Sequence, residues 1–389
     1  MKIGILGSGP SSLYVASLIK LKEPFYEIEI FEKENKLAKK LRATGNGHAN
    51  ILPAKEKSSA YNNPSFMEDL IKRFPLEKQL EALLSMGIAY RYYPKTGYYP
   101  LSYNANVFAS YLVDSLINKG VKFHLNQLIN DYYLKNDQII VSTHKGDCKF
   151  DKLILAPGGA SGKNLGSDGS FLSVLKKHGY KTFPFKSGLA PLFTDKKLIE
   201  GLFGLRQEVK LSLYLDNQLA YQEEGEIIFK EDAISGIASM NASSILGRSN
   251  YQTAYLSLDL FPELSISELS SLLEKIKRGN LSNYLDAFLC PPLSKKIIDF
   301  TKNNYKDTSI SSLVKIMKNL IFPILGVYPF SSSQVSIGGV SLEEIDNNFA
   351  SKKEKGVYFA GEILNIDGIC GGYNLLFDLL NALAISEEI

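Results

Sequence analysis

Lys2-Ile3-Gly4-Ile5-Leu6-Gly7-Ser8-Gly9-Pro10-Ser11-Ser12-Leu13, near the start of the sequence, has the order of a nucleotide-binding unit: apolar run, glycines, then a helix-forming segment. The apolar run 3–6 predicts a buried strand, and the residues after the glycines, through Lys20, predict a helix. Gly7 permits the tight turn between them, and Gly9 lets a pyrophosphate approach the backbone. Pro10 suits the first helical position, because its missing N–H would have had no intrahelical partner. The helix start then offers unpaired N–H groups and a positive dipole end to phosphate oxygens. A second strand over 27–31 ends at Glu32, about 20 residues beyond the turn, where an acid binds a ribose hydroxyl. Ser12 stands where a third glycine is usual, a position that serves helix–strand packing. The register of these parts predicts a dinucleotide site; an ordinary βαβ unit with a glycine turn is the competing reading.

The rest of the composition sets bounds. A chain of 389 residues holds two or three cores, and 45% hydrophobic with 22% charged residues describes an ordinary soluble protein. A formal net charge of +3 gives no reason to expect nucleic acid as a partner. Cys148, Cys290 and Cys370 are far apart and form no CxxC, so neither a disulfide framework nor a metal site is expected. No run reaches the roughly 18 apolar residues that cross a bilayer, and the first residues already belong to a strand. A cytoplasmic protein without a membrane partner is the expectation.

Downstream, Thr44-Gly45-Asn46-Gly47-His48-Ala49-Asn50 alternates glycine with asparagine, which suits a backbone folded closely around a ligand, or a plain exposed turn. Helices are predicted over 66–73, 76–86 and 104–118, a tyrosine-rich hairpin over 90–99, and a parallel strand over 121–125. Strands over 128–134, 138–143 and 148–155 predict a meander whose last member delivers Ala156-Pro157-Gly158-Gly159. From about Lys186 the texture becomes antiparallel, with strands over 189–193, 206–215, 218–222 and 226–229, then a helix over 234–247. Helices over 267–278, 280–289, 293–302 and 309–320 follow, and strands return over 321–328 and 334–337. Near the end, an apolar strand reaches Gly361-Glu362, and Gly371-Gly372-Tyr373-Asn374 opens a long apolar helix from Leu375. Paired glycines at a helix start make an electropositive backbone site. The glycine sites around residues 7, 45, 158 and 371 all suit the carboxyl edge of one parallel sheet, and their number suits an extended ligand such as FAD. A second strand–GxGxxG–helix unit is missing from the sequence, so nicotinamide would dock only transiently.

Several separate motifs carry a family resemblance. Lys40 with residues 44–50 resembles K-x-x-x-T/S-G-N-G-R-C-N; residues 99–102 with Ala105 resemble F-P-x-S-x-x-A; residues 155–161 resemble A-T-G-G-x-S. Residues 225–229 with 234–236, residues 337–340 with 344–345, and the F-A-G-E and G-G-Y-N-L runs at 359–362 and 371–375 complete the set. Together they resemble the bacterial FAD flavoproteins of the BaiN/YhiN type, which include aminoacetone oxidase-like enzymes. The departures are His48 and Ala49 for Arg and Cys, Asn365 for Asp, Pro157 for Thr, and Leu376-Phe377-Asp378-Leu379 in place of Gln-x-Ala-Trp.

The resemblance implies an α/β fold: a discontinuous Rossmann-like FAD-binding domain (1–186 and 335–389), an inserted β-barrel-like domain (187–264 and 321–334) and a helical domain (265–320). It implies cofactor contacts at Gly7, Gly9, Pro10, Ser11, Ser12, Glu32, Lys33 and Lys40. Further contacts fall at Gly45, Asn46, Gly47, Asn50, Leu128, Ala156, Gly158 and Gly159, and at Gly361, Glu362, Gly371, Gly372, Tyr373, Asn374 and Leu375. The expected function is hydride transfer between FAD and a small organic substrate, or NAD(P)H as a transient donor: amine oxidation with oxygen, or reduction of an activated alkene. Tyr373 as proton donor, Cys370 as thiol relay and His48 as a group titrating near neutral pH are the candidate catalytic residues, each with a packing role as its competitor. An FAD-holding sensor with little turnover is the alternative function, and an RNA-modifying flavoenzyme is disfavoured by the small net charge.

Overall fold

The computed structural model describes residues 1–276 and 281–389. Its first compact unit comprises Met1–Ser187 and Ser333–Ile389. Five parallel strands form its sheet, in the order Val357–Phe359, Lys152–Leu155, β1 (Lys2–Leu6), β2 (Glu27–Phe31), Lys122–His124. Apolar side chains on both faces explain this burial: Ile3, Ile5, Ile30, Leu153, Ile154 and Phe359 are fully buried. The residues just past the strand ends are hydrogen-bonded across the sheet. Gly7 N–H donates to the Phe31 carbonyl (2.8 Å), Ala156 to Leu6 (3.0 Å), Ala360 to Leu155 (2.9 Å) and Glu32 to His124 (2.9 Å). One carboxyl edge therefore collects the turns that follow β1, β2, Lys152–Leu155 and Val357–Phe359. Helix α1 (Pro10–Lys22) packs against the C-terminal helix Tyr373–Glu388, which brings both ends of the chain to that edge.

One expected strand is in fact two. Residues 148–155 divide at Asp151 into Gly146–Phe150, in an antiparallel meander with Ile129–Lys135 and Gln138–Thr143, and Lys152–Leu155, in the parallel sheet. Asp151 redirects the chain: its N–H donates to the Lys2 carbonyl (2.8 Å) and its carboxylate accepts from the Lys2 N–H (2.7 Å). Strand Thr182–Gly188, paired with Val335–Val340, was not anticipated.

The second compact unit, Gly188–Ser332, holds a closed six-stranded barrel. Its order is Leu192–Thr194, Ala233–Ser235, Gln218–Phe229, Arg206–Leu215, Ala254–Asp259, Leu320–Val327. The expected strands 218–222 and 226–229 are one strand, because its ladder with Arg206–Leu215 continues through Gly225 opposite Val209. Ala254–Asp259, which alternates buried and half-buried residues, was missed. Helices Ile266–Ile276, Leu281–Leu285, Pro291–Tyr305 and Ile310–Lys318 share the barrel's core, with Leu269, Leu273, Ile297 and Leu313 clustered with Leu256, Leu258 and Phe322. The expected helix ends at Arg278 and Asn280 lie outside the described residues. Among the described residues no helix is long and apolar enough to cross a membrane.

Candidate functional site

The first turn is shaped by two glycines with different tasks. Gly7 has φ +93°, and a Cβ there would collide with the Ala156 carbonyl. Gly9 is extended (φ −72°, ψ 179°), and nothing lies within 4 Å of where its Cβ would be. Pro10 opens α1 with no side-chain cap, so the amides of Ser11 and Ser12 have no acceptor within the helix. Ser12 is fully buried, with its hydroxyl unpartnered, at the packing position usually given to glycine. Beside this turn, Glu32 accepts from the Ser8 hydroxyl (2.5 Å) and N–H (3.1 Å) and from the Glu34 N–H (2.9 Å). Gln127 N–H donates to the Glu32 carbonyl (2.9 Å), and the residue after it, Leu128, is exposed.

Lys33, an expected cofactor contact, has its ammonium paired with Asp168 at 2.7 Å. Partial burial opposes the charge on Asp168, yet hydrogen bonds from Lys33 and Ser170 hold its carboxyl down at about 2. Lys40 likewise pairs with Glu362. Glu362 also accepts from Ser336 N–H (2.6 Å) and Gly159 N–H (3.4 Å), so the carboxylate expected to bind a polyol hydroxyl joins three segments of the edge. Gly159 is required there, because a Cβ would lie 2.5 Å from Ser336 Oγ and 3.0 Å from Glu362 Cδ. Ser336, which also accepts from the Ala160 (2.7 Å) and Ser161 (2.9 Å) amides, fixes the turn after Gly158 and was not recognised in the sequence.

The loop at 44–50 closes on the C-terminal glycines. Gly45 and Asn46 adopt φ +55° and +51°, within a short 3-10 turn Thr44–Gly47. Asn50 donates to the Thr96 carbonyl (2.8 Å), while its buried Oδ1 has no partner. A Cβ on Gly372 would lie 2.9 Å from that Oδ1 and 2.8 Å from the Leu52 carbonyl carbon, so the two loops touch only because Gly372 lacks one. Gly371 (φ +112°) and Gly372 (φ +96°) lead into Tyr373–Glu388 with no side-chain cap, leaving the first amides available. Leu375 is buried on this helix.

Three residues expected to carry side-chain chemistry have partners or surroundings of their own in the structure. The Tyr373 phenol donates to the Lys55 carbonyl (2.8 Å) and its own carbonyl accepts from Tyr61 (2.6 Å), so its proton is committed to loop structure. Burial, and then the nearby Glu56, raises its pKa, which further opposes proton release. His48 donates through Nδ1 to the Tyr103 carbonyl (3.0 Å) and stacks on the Tyr103 ring at 4.2 Å, as a loop clamp does. Asn374 holds Gly368 reciprocally, accepting from its N–H and donating to its carbonyl, both at 2.9 Å. Cys370 is half-buried and forms no disulfide, which leaves the expected thiol relay without a second cysteine.

The open space at Gly9, the unfilled amides at both helix starts and the orphaned Asn50 Oδ1 together fit FAD. A diphosphate satisfies the first amides, and a ring with polar edges satisfies the second set. A single nucleotide-type turn, with further glycine turns on the same sheet edge and a barrel inserted in the chain, defines an FAD-dependent oxidoreductase. The chain belongs to the HI0933-like protein Rossmann domain family, which matches residues 1–386. It is 26% identical to the 3-dehydro-bile acid delta(4,6)-reductase of Clostridium scindens, over 96% of this chain and 95% of the relative. It is 22% identical to the ribosomal RNA dihydrouridine synthase of Escherichia coli, over 99% and 97% of the two chains. Among solved structures, the 3-ketosteroid delta1-dehydrogenase of Sterolibacterium denitrificans shares the fold, with a TM-score of 0.50 and 9% identity over 99% of this chain and 98% of that one.

Proposed function

We propose that this oxidoreductase saturates an activated carbon–carbon double bond in a small ring substrate, with NAD(P)H as a transient donor. A donor that docks only transiently is consistent with one structural observation: among the described residues only β1 and α1 form a strand–glycine turn–helix unit of the dinucleotide type. Two of its relatives are named as a delta(4,6)-reductase and a dihydrouridine synthase, and saturation of a ring double bond is common to both names. FAD, when bound, supplies the hydride chemistry. The residues of this chain bind and orient. The amides around residues 371–373 favour negative charge at the ring edge, and the loop at 50–53, seated against Gly372, fixes the wall of the same space.

The net charge of +3 favours a small molecule over RNA as the substrate. The test is anaerobic rapid mixing with NADH and NADPH, followed by a cyclic enone, free uridine and a uridine-containing RNA. Flavin bleaching by a nicotinamide faster than about 1 per second, with reoxidation by the enone, is the expected result. Reoxidation by RNA alone would replace the small-molecule reading, and bleaching only by primary amines would replace reduction with amine oxidation.

A further inference from the structure

The C-terminal helix is apolar along its buried face, with Leu375, Leu376, Phe377, Leu379 and Leu380 all inside. Asp378 interrupts that run with only 9% of its surface exposed. Its Oδ1 accepts from Ser11 Oγ at 2.5 Å, and Ser11 is the second residue of α1, at the turn that receives phosphate. Gly361 covers this contact, because a Cβ there would collide with Ser11 Oγ and come within 3.1 Å of Asp378 Oδ1. Among the described residues Asp378 has no ion-pair partner. The paired Lys40 and Glu362 act on it, and it acts in turn on the fully buried Tyr14 phenol on α1, which has no hydrogen-bond partner, and on the Tyr61 phenol.

Burial is the largest influence on this carboxyl. With Glu362 adding to it and only Ser11 and Lys40 opposing, its pKa is pushed up to about 7. An ionised Asp378 sets a second negative charge against the turn where a diphosphate must lie, in a medium that screens poorly. We propose that Asp378 must be protonated for the turn at residues 7–12 to hold FAD, so that cofactor binding takes up a proton and weakens in alkaline solution. The proposal rests on the assignment of the FAD diphosphate to that turn. A carboxyl in this position ties cofactor loading to pH.

The test strips the flavin from the full chain and measures the FAD dissociation constant by flavin fluorescence from pH 6 to pH 9. The wild type is expected to bind at least about tenfold more weakly at pH 9 than at pH 6, since the slope for one linked proton approaches tenfold per pH unit. Asp378→Asn, which keeps the size and cannot ionise, is expected to show no such slope. Calorimetry of the wild type at pH 8, in buffers of different ionisation enthalpy, is expected to show uptake of about one proton per FAD bound. Equal slopes in wild type and variant, or no proton uptake, would overturn the proposal while leaving FAD binding intact. Failure to bind FAD at any pH would instead overturn the cofactor assignment itself.

Discussion

Replacing Gly7 and Gly9 one at a time by alanine separates what the first turn does for the fold from what it does for the ligand. At Gly7 the new Cβ meets two penalties. The residue sits at φ +93°, which costs an L-residue about 1–2 kcal/mol, and the Cβ overlaps the Ala156 carbonyl, a backbone atom of the adjoining turn. Overpacking of that kind costs a further 1–3 kcal/mol or so, giving about 2–5 kcal/mol in all. At Gly9 neither penalty applies, because the backbone is extended and no atom lies within 4 Å. Gly9→Ala should therefore cost less than about 1 kcal/mol, the difference between glycine and alanine at a helix N-cap. The same Cβ occupies the space a diphosphate needs, and at about 1–3 kcal/mol of overlap the FAD dissociation constant should rise about 5- to 150-fold. Urea unfolding of the flavin-free chain, paired with FAD titration, reads both quantities. Should Gly9→Ala bind FAD as the wild type does, the diphosphate is not over Gly9. Should Gly7→Ala unfold at the wild-type midpoint, the close approach to Ala156 is wrong.

Other expectations follow from the same contacts. His178 lies 2.8 Å from Glu354 through Nδ1 and 2.8 Å from Asp131 through Nε2, so both nitrogens must carry protons. Although burial pulls its pKa down, these two carboxylates raise it overall. A raised folded value stabilises fully below the unfolded value near 6.5 and is lost as pH rises through the folded one. His178→Ala should cost about 2–3 kcal/mol at pH 6, with the Asp131 bond discounted for its exposure, and clearly less at pH 9. Comparing urea midpoints at the two pH values checks this, and equal losses would contradict it. Tyr373→Phe should lower stability by about 1 kcal/mol, through the lost bond to Lys55, yet keep turnover within about threefold; a loss of 100-fold or more would restore the phenol as an acid. Gly372→Ala should weaken FAD binding more than it lowers the unfolding midpoint, because its Cβ drives residues 50–53 away from the C-terminal helix start; unchanged affinity would mean that this seam does not border the cofactor.

How much of this was legible in the sequence depended on distance along the chain. The unit from Lys2 to Glu32 could be read because each part, the apolar run, the glycines, Pro10 and the acid, acts on neighbours within a few residues. The hairpin expected over 90–99 and the helix expected over 104–118 were readable for the same reason. The split at Asp151 was not, since the atoms that impose it belong to Lys2, at the other end of the domain. Nor were the partners of Glu362, Tyr373 and Lys33: a carboxylate beside a glycine reads as a ligand-binding group until Lys40 and Ser336 are seen to hold it. Asp378 did leave a local trace, one acid within the apolar run 375–385, but only the contact with Ser11 says what it touches.

If both ends of the chain build one FAD site at the carboxyl edge of the parallel sheet, the purified chain holds flavin. The most direct test is the visible absorption spectrum of the purified chain, before and after incubation with FAD and removal of the excess. A protein-bound flavin spectrum with about one FAD per chain is expected. A folded chain that carries no flavin and takes up none would contradict it.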